Sequence, residues 1–534
     1  MTQPNRIALR RPAVLSGMVA VLALCLSTSA AFAQSKVIRY AGSADVKVFD
    51  PIVNTSGVTL QHGYMVYDNL FSYDREFRIH PQMVGSSTVS ADGLTYTMTM
   101  RPGLKWHDGT LVTTADILPS IKRWAERDGI GRKMVQHGMT LTAVDAQTFT
   151  LTMKEKYGLV LDGLANTSGL AAFMMRAKDA ATDPSVAVAE SVGSGPFKFV
   201  KGEHVPGSRI VYERNPDYVA RTEKPDFYSG SRAVKIDRVE WMVLPDANTG
   251  VAALNRGEID IMEQPPVDLL RLIKGNPQIT IKVNNKFGVL GFVRPNHLHP
   301  PFNNPKARQA LMHIIDQEEF LRAAFGEPEY YKICWSFTAC DNAMSSEAGT
   351  EKYRKPDIAR AKQLMAEAGY NGEKIVILHA TDLKWLHDFS TVLEQRMREA
   401  GWNLDVQQMD WANLTTRRTK QEPPGQGGWH LFITGDTGIG MMSLSGSLAL
   451  SSDCDRKGWL GWACDEPTMA LRDEWSKQPD LAKRKEIAVK AQLRAAEFVH
   501  VVPLGQFLPP VAFRNTLSNV LELPFPAFWA VEKQ

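Results

Sequence analysis

His107 stands beside Asp108 in the run Trp106-His107-Asp108-Gly109. An imidazole oriented by a carboxylate is the base of many hydrolytic sites. The rest of such a site is missing: there is no G-x-S-x-G and no H-E-x-x-H, and no nucleophile or metal partner is spaced to join the pair. The expectation is a structural turn with a hydrogen-bonded histidine. His297-x-His299 offers two imidazoles to a metal, but no third ligand stands in register, so it reads as a loop feature. Gly193-Ser194-Gly195-Pro196-Phe197 has the glycines of a phosphate cradle, yet no helix carrying Lys-Ser/Thr follows it, and a tight bend is expected. Asp436 is a lone acid within Thr434-Gly435-Asp436-Thr437-Gly438. Such a carboxylate can receive a cation, or it can cap a turn. No metal and no cofactor are expected.

These residues need elements to hold them. Leu94, Tyr96, Met98 and Met100 alternate with Thr95, Thr97 and Thr99, a period of two that predicts a half-buried strand. A helix opens after it near Thr114 or Asp116, and Pro119 favours the later start. Phe149–Lys154 repeats the alternation and belongs with the same small sheet. Lys36–Tyr40 reads as a first strand and Val58–Leu70 as a helix, with Asn54, Thr55 and Ser56 in the polar loop before it, able to cap that helix or touch a ligand. Gly257 C-caps a helix that precedes strand Ile259–Ile261. Asn303–Gly326 has the apolar stripe of one long helix. Further on, strands Ile375–His379, Leu404–Gln408 and Trp429–Ile433 alternate with helices Leu386–Ala400 and Trp411–Lys420, which predicts crossovers and a mostly parallel sheet. Ligands of such sheets sit beyond the carboxyl ends of the strands, where Trp429–Ile433 would deliver Asp436.

The chain has 534 residues, 44% of them hydrophobic and 22% charged, as in a folded soluble protein of several lobes. Arg6, Arg10 and Arg11, the apolar run Ala13–Leu26 and Ala31-Phe32-Ala33 make a cleavable signal peptide, 1–33, with cleavage near Ala33/Gln34. Leu24 before Cys25 is a poor lipidation context. Losing those three arginines takes Lys+Arg from 61 to 58, level with Asp+Glu at 58, so no nucleic-acid partner is expected. Cys334, Cys340, Cys454 and Cys464 remain, an even number in an exported chain, which favours two disulfides. Three pairings are possible, and the local one, 334 with 340 and 454 with 464, closes most readily. A four-cysteine zinc site is the rival, but the spacings are not those of C-x-x-C knuckles.

Several segments carry a resemblance. Met100-Arg101, Gly103, Trp106-His107-Asp108-Gly109 and Thr114-Ala115-Asp116-Ile117 resemble the signature of the family 5 periplasmic solute-binding proteins of ABC importers, which include dipeptide, oligopeptide and nickel binders. Gly193–Phe197 with Arg214-Asn215-Pro216-Asp217-Tyr218, the spacing of Leu254, Gly257 and Asp260, Pro301-Phe302 with Arg308 and Ala310, and Leu364–Gly369 are similar to further segments of that family. The resemblance spans nearly all of the mature chain.

It implies an α/β, two-lobed periplasmic-binding-protein fold (type II, cluster C-like) with an extra small lobe. Lobe I would comprise 34–75, 191–290 and 504–534, the small lobe 76–190, and the ligand-binding α/β lobe 291–503. It implies capture of a small-molecule or peptide solute by hinge closure, a membrane permease with its ATPase as partners, a periplasmic location, a monomer, and no enzymatic activity. An exported peptide hydrolase, or a sensory or chaperone protein on the same fold, is the alternative. In peptide-binding members an Asp after a strand holds the ligand's amino group. Carried over, Asp436 supplies that charge and Phe432, Thr434 and Gly435 the backbone groups, with Trp411 as an aromatic wall and Asn54, Thr55 and Ser56 as further contacts. The chain departs from those members at Gly438-Ile439-Gly440-Met441-Met442, which makes the site more apolar.

Overall fold

Strand Thr95–Met100 lies between Val84–Val89 and Thr148–Thr152, antiparallel to both, in the four-stranded sheet that Thr140–Ala143 completes. Met98, Met100, Phe149 and Leu151 are buried, and the intervening threonines are half-exposed. Thr95–Thr152 and Thr99–Thr148 hydroxyl pairs, each at 3.2 Å, tie the outer face, as cross-strand threonines do. The computed structural model describes residues 1–2 and 35–534 except 168, 245 and 479. The signal-peptide reading, Cys25 and the cleavage site lie outside the described residues.

The helix after strand Thr95–Met100 runs Thr114–Ala125 and starts earlier than Pro119 suggested. Thr113 caps it, with Asp116 Oδ2 accepting the Thr113 N–H at 3.0 Å, and Pro119 sits within it. The expected helix Val58–Leu70 is shorter, Gly57–Val66. The reason is the Gly193–Gly195 bend: Gly195 donates its N–H to Val66 O at 2.8 Å, and a Cβ on Gly193 would stand 2.0 Å from that oxygen. The stripe of Asn303–Gly326 is two helices, Pro305–His313 and Gln317–Phe325. Asp316 breaks it by N-capping the second, accepting from Glu319 N.

Among the described residues two larger sheets form the body. The first has seven strands, ordered Phe197–Phe199, Arg209–Arg214, Arg238–Met242, Val37–Ala41, Ile261–Glu263, Pro510–Arg514 and Ile279–Val283. The second has six, ordered Tyr331–Lys332, Val502–Phe507, Val289–Pro295, Leu431–Thr437, Ile375–Ala380 and Leu404–Met409. That second sheet is mixed, not mostly parallel: two of its five pairings are parallel, and the three involving Val289–Pro295 or Val502–Phe507 are antiparallel. The chain crosses from the first sheet to the second between Val283 and Val289 and returns between Phe507 and Pro510. Disulfides join Cys334 to Cys340 and Cys454 to Cys464, the local pairing.

Candidate functional site

Strand Leu431–Thr437 is longer than expected, so Asp436 lies within it, opposite Leu290, and not in a loop beyond its end. The antiparallel partner Val289–Pro295 covers one edge along all seven residues. The parallel partner Ile375–Ala380 meets the other edge at Leu431 and Phe432, and the two strands then part. Among the described residues no strand continues along that second edge from Ile433 to Thr437. Gly435 suits the narrow place it occupies, since a Cβ there would stand 2.8 Å from both Leu290 O and Val289 Cγ1.

A cavity of about 110 Å³ opens at this edge, lined by Thr434, Gly435, Asp436 and Thr437 on one side and Thr55 and Ser56 on the other. Trp411, the first residue of helix Trp411–Arg417, donates its indole N–H to Ser56 Oγ at 3.1 Å. Lys47 and Asp410 bridge the same gap at 2.9 Å. Ser56 stands at the N-cap position of Gly57–Val66 yet makes no cap bond with its side chain, because its hydroxyl serves Trp411. Asn54 Oδ1 accepts the Ser56 N–H at 2.7 Å in the turn before that helix, and Asn54 lines a cavity of about 870 Å³ that meets the smaller one at Thr55, Arg418, Leu448 and Trp459. Phe432 is core, packed against Trp429 and absent from the lining.

Arg418, the residue after that helix, was not among the sequence candidates. It lines the 110 Å³ cavity and is 2% exposed. Its Nη2 donates to Thr55 Oγ1 at 3.2 Å, its Cζ lies 5.2 Å from the Trp411 ring centre and 5.5 Å from that of Phe432, and its Nε has no partner among the described residues. No carboxylate among the described residues pairs with it. Burial alone pulls the guanidinium down to about 9. A buried cation without a counter-charge is costly to the empty protein and ready for an anion. Its one sequence signal is the Arg417-Arg418 doublet, which does not say which arginine is buried. Arg417 reaches Gln407 and Gly428 O instead.

The other candidates have structural employment. His107 Nδ1 accepts the Gly193 N–H at 3.3 Å and its Nε2 donates to Gly195 O at 3.0 Å, so the imidazole clamps the glycine bend. Burial holds it neutral, with its pKa lowered to about 4. His297 and His299 bond to different carbonyls, His500 O and Gln421 O. Among the described residues the group with metal-like spacing is Cys334, Cys340 and Glu347, and both sulfurs are spent in the disulfide. The Cys454–Cys464 disulfide bounds a loop that brings Trp459 to the cavity, with the buried Arg294 donating to Leu460 O at 2.6 Å beneath it. Ser191 Oγ lies 2.7 Å from His62 Nε2, the spacing of a nucleophile and base, but it lines none of the cavities described here. Burial pulls His62 down to about 3.

Residues 78–458 match the family described as bacterial extracellular solute-binding proteins, family 5 middle. A protein of Sinorhizobium fredii named as a probable peptide ABC transporter periplasmic-binding protein is 39% identical over 98% of this chain and 99% of its own length. A glutathione-binding protein of Escherichia coli is 27% identical, covering 79% of this chain and 78% of its own. Two solved structures share the fold at a TM-score of 0.77, each over 93% of this chain. One is an agropinic acid complex of an Agrobacterium binding protein, 21% identical over 99% of that chain. The other is a dipeptide-binding protein of a Pseudoalteromonas species with Met-Leu, 18% identical over 100% of that chain. The architecture is thus the two-lobed α/β fold of periplasmic binding proteins, and the chain belongs to family 5 of the bacterial extracellular solute-binding proteins.

Proposed function

We propose that this protein captures a short peptide, or a zwitterion of the same chemistry, and delivers it to the permease of an ABC importer in the periplasm. The observation that carries the peptide reading is Arg418: a buried guanidinium without a carboxylate partner, on the same small cavity as Asp436. Asp436 takes the ligand's ammonium group and Arg418 its carboxylate. The strand edge from Ile433 to Gly435 offers its backbone to an extended ligand, as in strand addition. The Sinorhizobium relative is named for peptide transport, and the Pseudoalteromonas protein holds a dipeptide, which agrees with this choice.

The protein acts by capture, as a monomer, after removal of the signal peptide at Ala33/Gln34. The two lobes turn about the segments 284–288 and 508–509, where the chain crosses between the two large sheets. A ligand touching both walls binds the closed form better and shifts the balance toward it. Calorimetric titration with free dipeptides is expected to show binding, weakened when the amine is acetylated or the carboxylate amidated, and small-angle scattering is expected to show compaction on saturation. Equal affinity for free and doubly blocked dipeptides would remove the zwitterion reading.

A further inference from the structure

Beyond Asp436 the site continues into a second space. A cavity of about 400 Å³ meets the 110 Å³ one at Gly169, Asp436 and Leu448. Its apolar walls are Phe77, Met344, Ile439, Met442, Leu448 and Trp475. Ile439 and Met442 come from the run Gly438–Met442, where this sequence parts from the peptide binders it resembles. Gly438 lets that run turn against Phe287, since a Cβ there would stand 2.2 Å from Phe287 O, while Met441 goes into the core.

An ammonium group held on Asp436 leaves the α-carbon one bond away, at the junction of the two cavities. The smaller one has to accommodate the ligand's backbone and its path to Arg418. The larger one is open to the side chain on that carbon. An aliphatic cavity of ~150 Å³ holds a benzene ring, so a space of about 400 Å³ admits any apolar side chain.

We propose that this cavity receives the side chain of the ligand's amine-bearing residue and selects a bulky apolar one; the proposal rests on the ammonium group being held at Asp436. Met344 and Met442 have flexible, polarisable side chains that fit leucine, methionine or phenylalanine shapes alike. Apart from Asp436, the carboxylates and the guanidinium on the lining have protein partners. Asp128 Oδ1 accepts the N–H groups of Ile130 and Gly131 at 2.8 and 3.0 Å, and Asp162 Oδ1 accepts the Tyr73 hydroxyl at 3.2 Å. The Arg484 guanidinium lies over Trp475, 4.7 Å from the ring centre. With Asp436 given to the ammonium group, Asp128 and Asp162 remain on the lining and disfavour an acidic side chain.

The test is calorimetric titration of the purified protein with Phe-Ala, Met-Ala, Ala-Ala and Asp-Ala. Phe-Ala and Met-Ala are expected to bind at least ~tenfold tighter than Ala-Ala, as added apolar groups do in an apolar pocket, and Asp-Ala weakest. Met442→Trp, which narrows the cavity, is expected to bring the Phe-Ala to Ala-Ala ratio toward one. Equal affinity for all four dipeptides overturns the pocket and leaves the function standing, as does a Met442→Trp variant that keeps the full ratio. No binding of any of the four overturns both. If Met442→Trp fails to fold, the wild-type series decides alone.

Discussion

Arg418 reaches across the cleft to Thr55, giving one N–H to its hydroxyl at 3.2 Å while Nε stays without a partner. A hydroxyl dipole does not neutralise a buried guanidinium. The empty protein therefore carries a desolvation cost that an incoming carboxylate relieves.

Replacing Arg418 by Met should separate binding from stability. Peptide affinity is expected to fall roughly a hundredfold, the usual cost of truncating one partner of a buried charge pair. The unliganded protein is expected to be more stable by about 1–3 kcal/mol, because an apolar side chain of similar length removes an unpaired buried charge. Titration calorimetry and thermal unfolding of the same sample check both arms; a variant that loses stability along with affinity would contradict the account of Arg418.

Asp436→Asn keeps the shape of the side chain and removes its charge. Affinity for a free dipeptide is expected to drop about ten- to a hundredfold, the range of ~1.5–3 kcal/mol for a hydrogen bond to a charged group. An N-acetylated dipeptide, which has no ammonium group, is expected to bind the variant and the parent equally poorly. The comparison isolates the ammonium contact from any general loosening of strand Leu431–Thr437.

Removing the Cys454–Cys464 disulfide with paired serines should lower stability by about 2–3 kcal/mol, the value for a short closed loop. Its effect on affinity is expected to be smaller, under ~tenfold. Trp459 rides on that loop, but the carbonyl of the next residue, Leu460, is still held by Arg294 at 2.6 Å. Denaturant unfolding and ligand titration of the double variant measure the two effects separately.

His107 predicts a pH dependence. Burial lowers its pKa to about 4 from the usual 6.5, and the neutral ring is the form whose Nδ1 accepts the Gly193 N–H. Between those values the unfolded chain binds more protons than the native one, so stability falls as the medium is acidified through that window. The contribution is complete above pH ~6.5 and lost by about pH 4, and on the order of 3 kcal/mol is at stake. His107→Gln is expected to flatten the slope of melting temperature against pH in this window relative to the parent. Other buried histidines titrate there too, His430 among them, lowered to about 4 by burial, so the readout is the difference between the two profiles.

Features encoded within a few residues of one another could be read from the sequence. The Met/Thr alternation of Thr95–Met100 gave its strand and buried face, and two short cysteine spacings gave the pairing. The run from Met100 to Ile117 pointed to the family. Asp436 stood out as a lone acid among glycines. Other features depended on contacts that no local window contains. Strand Leu431–Thr437 runs past Asp436 because Val289–Pro295 pairs with all of it, and helix Gly57–Val66 stops short because Gly195 bonds to its last carbonyl. Ile439 and Met442 read as a merely apolar stretch until Phe77, Met344 and Trp475 closed a cavity around them. Arg417 and Arg418 are the same residue type in adjacent positions. Arg418 is the one stripped of water because Thr55, 363 residues away, packs over the helix end with Trp411. Burial of a charge is a property of everything that surrounds it, so the guanidinium proposed to take the ligand's carboxylate emerged only once the distant walls of the cleft were in place.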